Sequence, residues 1–193
     1  MGSFAAPMEH LYVQKLGDKL WKHHTKAINE MWVGLKKRLF SMHLDYRKIY
    51  IYQDGLPVCG KELEIINDLA EKGSVNHRIL RELIRRGALL MGTEDPQLLL
   101  EEYHYLQEIF RATGSDARQT IVKEYTKRTP LLLKKRDVFI SKRIGETLLH
   151  GMTAILFMGL THRIDELLPA DIQVTYLIYR LPFERSFEME LAK

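Results

Sequence analysis

Asp54, Glu94, Arg136 and His162 are the side chains whose types and placement best suit chemistry. Three of them follow short apolar runs. IYIYQDG leads to Asp54, ALLMGTED to Glu94 and AILFMGLTH to His162, while Arg136 stands in the basic stretch LKKRD. A carboxylate beside an imidazole can work as general base and acid. The same pair, Glu94 with His162, can hold a divalent metal that lowers the pKa of bound water. Arg136 would hold a substrate anion or neutralise an oxyanion. Those roles describe a hydrolase, either metal-dependent or acid–base. A second possibility is a binding module that takes a small ligand, a nucleotide or haem, in the same cleft without turnover. A third is a regulatory or structural protein acting through oligomers or a partner, with Trp21, Trp32, Phe183 and Phe187 as apolar contacts.

The elements that must position these residues follow from the hydrophobic pattern. Residues 48–54, 88–92, 153–159 and 172–179 read as short buried strands. Helices are expected over about 61–72, 75–86 and 96–112, with Leu63 and Tyr103 among their inward residues. Another runs from about 116 to 128, where Pro130 limits it, and a separate basic helix spans 131–150 with Val138, Ile144 and Leu148 inward. The segment 161–169 reads as a short helix. The first forty residues look helical, with Ile28, Met31, Trp32, Leu35 and Leu39 at the spacing of one helix face. Strands alternating with helices give an α/β fold, a mostly parallel sheet of about four strands flanked by helices, in a single domain over 1–193. In such sheets sites form beyond the carboxyl ends of the strands. The apolar runs therefore end where a cleft is expected.

Each residue also has a purely structural reading. Asp54 before Gly55 is turn chemistry, and Asp95 before Pro96 suits a helix cap. Glu94 has no such excuse, because Glu caps poorly. His162 could simply open a helix, and Arg136 with Asp137 could be an exposed ion pair. His77, with Asn76 beside it, falls in the first turn of its helix. Cys59 has no histidine close in sequence to serve as its base.

The chain has 193 residues, 46% hydrophobic and 28% charged, which suits a folded domain with a core. Cys59 is the lone cysteine, which excludes an internal disulfide and suits a reducing compartment. No apolar run is long enough to span a bilayer, and the N-terminus lacks the pattern of a secretory signal. The expected location is cytoplasmic, with no membrane partner. Net charge is +4, yet the basic residues lie in short helical clusters and nucleic acid is an unlikely partner. A small-molecule ligand and a homo-oligomer are the expected ones.

IYQDGLPVCGKE (51–62), residues 70–103 and residues 135–174 together resemble a family of uncharacterised prokaryotic proteins. The C-terminal half is also similar to the TraB-like and ChaN-like/erythromycin-esterase-like α/β group. There a glutamate after one strand, an Arg-Asp or Arg-Asn pair on a helix and a Gly-x-x-His after a later strand surround a cleft. Glu94, Arg136 and His162 match those positions. The group includes metal-dependent proteases, an esterase and a haem-binding protein, so the resemblance implies a cleft rather than one reaction. The family opens with an apolar strand ending in His-Thr and an acid, and the TraB-like pattern with its own Gly-x-x-His. This chain has neither. The resemblance therefore implies a further central strand upstream of Met1 and a sheet edge that a second subunit could cover.

Overall fold

The computed structural model describes residues 18–177. Three strands form one parallel sheet: β1 (Ile49–Gln53), β2 (Leu89–Leu90) and β3 (Thr153–Phe157) in the order β2-β1-β3. Five α-helices accompany it: α1 (Asp18–Phe40), α2 (Glu62–Glu71), α3 (Val75–Arg85), α4 (Pro96–Arg111) and α5 (Ser115–Thr147). The chain is α/β, with a parallel sheet flanked by helices, as the alternating pattern requires.

The chain divides into two compact units. Among the described residues the first joins 18–45, 66–85 and 175–177. In it α1 packs on α3, and Leu39, Ile66, Ala70, Ile79, Leu80 and Leu83 are buried. Ile28, Met31, Trp32 and Leu35 are half-buried on α1, as their spacing demands. The helical expectation for 1–17 lies outside the described residues. Ser74 follows Gly73, whose φ of +96° suits glycine, and its carbonyl accepts from Arg78 N as α3 starts.

The second unit joins residues 46–65 and 86–174 and holds the sheet. All five residues of β1 are buried, because it is the central strand. Ile49 to Gln53 pair in register with Thr153 to Phe157 on one side, and Tyr50 and Ile51 with Leu89 and Leu90 on the other. Alternation sends Tyr50 and Tyr52 to one face, where they cluster with Ile140 and Ile144 of α5 and with Ile164. The Tyr52 hydroxyl is 2.8 Å from Thr147 Oγ1, so the buried phenol keeps a polar partner. Asp95 caps α4, its carboxylate accepting from Gln97 N at 2.7 Å with Pro96 as the first helical residue.

Several expectations are corrected. Residues 172–177 are not a strand, and 178 and 179 fall outside the described residues; strand propensity counts only where a neighbour supplies a pleated surface to pack on. Pro130 does not end a helix. The 33-residue α5 runs through it, about 50 Å long. The ring removes one N–H donor, but Pro130 and Thr126 are exposed, so water can serve the freed carbonyl. The Thr126 and Thr129 hydroxyls bond the carbonyls of Val122 and Tyr125. Val138 is exposed, because the inward stripe of α5 is Leu132, Arg136, Asp137, Ile140, Ser141 and Ile144. Leu63 and Tyr103 are likewise exposed. The expected helix at 161–169 is a single 3-10 turn, Ile164–Glu166.

Candidate functional site

Parallel pairing brings the carboxyl ends of all three strands to one edge, and Asp54, Glu94, Arg136 and His162 meet there. β1 ends at Gln53, and Asp54 N still donates to Phe157 O at 2.8 Å. Beyond it Gly55 adopts φ +75°, a conformation glycine takes at little cost, and its N–H donates to Glu94 Oε1 at 2.7 Å. Glu94 follows β2 through Thr93, whose hydroxyl accepts from Gln53 N at 2.9 Å and donates to Met91 O. That hydroxyl replaces the backbone acceptor lost as the two strands part. Gly92 is held to glycine by space, since a Cβ would stand 2.8 Å from Val58 Cα and 2.7 Å from Glu62 Oε1.

Arg136 enters from the inward face of α5. Its Nε and Nη2 donate to the two oxygens of Glu94, each at 2.6 Å. Nη2 also donates to Asp54 Oδ1 at 2.8 Å and Nη1 to Glu102 Oε2 at 2.8 Å. A guanidinium facing three carboxylates is already neutralised. The expectation that Arg136 holds a substrate anion is therefore not supported, because four of its five N–H donors bond carboxylates of the protein itself.

His162 arrives through the Gly-x-x-His turn, where its N–H donates to Gly159 O at 3.3 Å. Gly159 N donates to Asp54 Oδ2 at 3.1 Å, and a Cβ at 159 would lie 3.0 Å from that same oxygen. The glycine lets the strand end approach Asp54. The His162 Nδ1 lies 2.5 Å from Asp137 Oδ1, and Asp137 Oδ2 accepts from Arg163 N at 3.1 Å. His162 Nε2 lies 3.6 Å from Asp54 Oδ1, outside direct hydrogen-bond reach.

The electrostatics follow from these contacts. Burial works against the His162 imidazolium, yet Asp54 and Asp137 outweigh it and hold its pKa above the ordinary histidine value. Burial would also raise Asp54, but the close imidazole of His162, its pairing with Glu94 and the charge of Arg136 pull it far below the usual range. Glu94 is fully buried. Burial and the nearby Asp54 push it up against the pull of Arg136 and Gly55 N–H. The two carboxylates are thus driven apart in acidity.

A divalent metal does not fit Glu94 and His162. Both Glu94 oxygens are bound by Arg136, so a metal at the open Nε2 of His162 would find no ligand in Glu94. Among the described residues no group of three or more His, Cys, Asp or Glu is arranged to hold a metal ion.

The structure does not build the exposed Arg136–Asp137 ion pair that the dipeptide also allows, and it places Glu102, which carries no sequence signal of its own, in the cluster. Asp137 is buried and orients His162, while Glu102 binds Arg136 and accepts from the Tyr125 hydroxyl at 3.2 Å. The signal for Asp137 was present: Ile140 and Ile144 lie one and two turns beyond Arg136, so 136 and 137 share their inward side. His77 and Asn76 bond with Ser74, and Cys59 is exposed. No protein-family pattern, curated protein or solved structure matches the chain.

Proposed function

We propose that the second unit is a hydrolase of the acid–base kind, with His162 as its proton-transfer residue. The observation that carries this reading is the Asp137–His162–Asp54 arrangement at the carboxyl edge of a parallel sheet. Asp137 fixes the ring through Nδ1, and Nε2 is left without a direct hydrogen bond, facing the partly exposed Asp54. Neutral His162 takes a proton from water at Nε2. The imidazolium so formed is stabilised by a carboxylate on each side and then returns the proton to the leaving atom. Asp54, its pKa far below the usual range, stays ionised and is a poor base; its part is to hold the water and the imidazolium. Arg136 is a positioning residue that fixes Asp54 and neutralises Glu94. Four carboxylates, Asp54, Glu94, Glu102 and Asp137, face one permanent cation and His162. This excess favours a neutral or cationic substrate over an anionic one.

A second reading is favoured by one observation: Arg136, Glu94 and Glu102 spend their strong hydrogen bonds on each other. On that reading the network is a lock that ties the end of β2 and helix α4 to α5, and the chain binds a ligand or partner without turnover. The test is a panel of chromogenic esters, amides and glycosides with the wild-type chain and His162→Asn. The acid–base reading expects turnover that His162→Asn removes while the fold persists by circular dichroism. Wild-type turnover that survives His162→Asn, or none on any substrate, sinks it and leaves the lock.

A further inference from the structure

One face of α5 takes no part in the site. Lys123, Lys127, Leu131, Lys134, Val138 and Lys142 follow at steps of four, four, three, four and four residues, which keeps them on one side of a helix. All six are exposed, and the line spans about 28 Å at 1.5 Å per residue. Leu131 and Val138 are 47% and 49% exposed, so aliphatic carbon stands bare between the ammonium groups. Beside Val138 lies a shallow depression of about 390 Å³ lined by Ser141, Lys142, Gly145, Leu167 and Pro169. Leu167 is itself exposed. Among the described residues Lys123, Lys127 and Lys134 enter no ion pair, whereas Lys142 lies 3.7 Å from Glu146. Between Lys123 and Lys142 the one exposed acid of this helix is Glu124, since Asp137 is buried.

Charge alone would suit any polyanion. The aliphatic residues decide between them. Lysine also serves nucleic-acid phosphates, but a sugar–phosphate surface gives bare leucine and valine nothing to enter, and this line has no aromatic ring for bases to stack on. A surface that combines lysine with bare leucine and valine matches a lipid interface. There the ammonium groups sit among phosphates and the aliphatic side chains enter the acyl boundary. We propose that this face of α5 binds the surface of an anionic phospholipid bilayer. No crossing of the bilayer is involved, for among the described residues no helix is long and apolar enough to span one. The expectation of no membrane partner considered only spanning segments and signal peptides. The proposal is independent of the acid–base reading.

The test is co-sedimentation of the full chain with phosphatidylcholine vesicles, with and without phosphatidylserine, at low and high salt. Binding is expected with phosphatidylserine at low salt and not with phosphatidylcholine alone. Substituting Lys123, Lys127 and Lys134 together by Gln should weaken partition about fivefold per lysine, and Leu131→Asp should weaken it with every lysine in place. The matching Lys→Arg triple should keep it. These positions are exposed, and circular dichroism should find each variant folded. Absence of phosphatidylserine-dependent binding at low salt, or binding unchanged in the Gln triple, overturns the proposal. Capture of duplex DNA but not of vesicles, lost in the Gln triple, overturns it in favour of nucleic acid.

Discussion

His162, whose side chain is 3% exposed, and the buried His77 each bond one side-chain partner, and they are driven in opposite directions. At His162 the partners are carboxylates, Asp137 through Nδ1 and Asp54 near Nε2, and the charged ring is favoured. At His77 the partner is the Ser74 hydroxyl, 2.7 Å from Nδ1, with Ser74 in turn 2.6 Å from Asn76 Oδ1. No carboxylate offsets burial there, and the pKa falls to about 4. Similar burial therefore favours the charged ring in one place and the neutral ring in the other. What separates them is the formal charge of the nearest partner.

Removing the cation that organises the acid cluster should have the largest effect. Arg136→Met strands the fully buried Glu94 beside Asp54 and Glu102. It should cost about 3–5 kcal/mol in urea unfolding, whereas a loss below about 1 kcal/mol would mean that the cluster is solvated. Arg136→Lys should recover only part, because an ammonium cannot bind Glu94 through a planar fork and reach Asp54 and Glu102 as well.

The pH dependence of stability sharpens the contrast. The folded pKa of His162 is raised, so its contribution is complete below the ordinary histidine value and is lost as pH climbs through the raised one. For His77 the folded pKa lies near 4 against an ordinary 6.5. The unfolded chain takes that proton first, and stability falls by about 2–3 kcal/mol as pH drops across this window. Unfolding measured against pH should lose its acid-side slope in His77→Phe and its alkaline-side slope in His162→Asn. Identical profiles in the two variants would erase the distinction.

Smaller effects come from single partners. Asp137→Asn should cost about 1–3 kcal/mol and move the His162 pKa down toward the ordinary value, seen by NMR titration of the ring. Ser74→Ala should cost about 1 kcal/mol, the usual worth of a buried hydrogen bond, and leave His77 neutral.

Much of this site was legible before any coordinates. Apolar runs ending in polar residues placed Asp54, Glu94 and His162 at one edge, because parallel pairing leaves them no other, although of these strands only β1 is buried throughout. Asp95-Pro96 gave the cap of α4 and Gly73-Ser74 the junction of α2 with α3. Pro130 misled, because its effect depends on whether water can reach the freed carbonyl, and exposure is not written in the local sequence. Asp137 was missed for a related reason: splitting α5 at Pro130 fixed the wrong inward residue, Val138, and set Asp137 outside. Segment 172–177 failed as a strand because strand formation needs a neighbour, a property of the fold and not of the segment. The occupancy of Arg136 was hidden too, since its acids lie 82, 42 and 34 residues away.

The most direct test of the central claim is the NMR titration of the His162 ring in the wild-type chain, with His77 as the internal contrast. The account predicts a His162 pKa above the ordinary histidine value and an Nδ1-bound proton held toward Asp137, while His77 stays neutral to about pH 4. A His162 pKa at or below the ordinary value would contradict it. The carboxylates would then not stabilise the imidazolium, and His162 would have no claim to proton transfer.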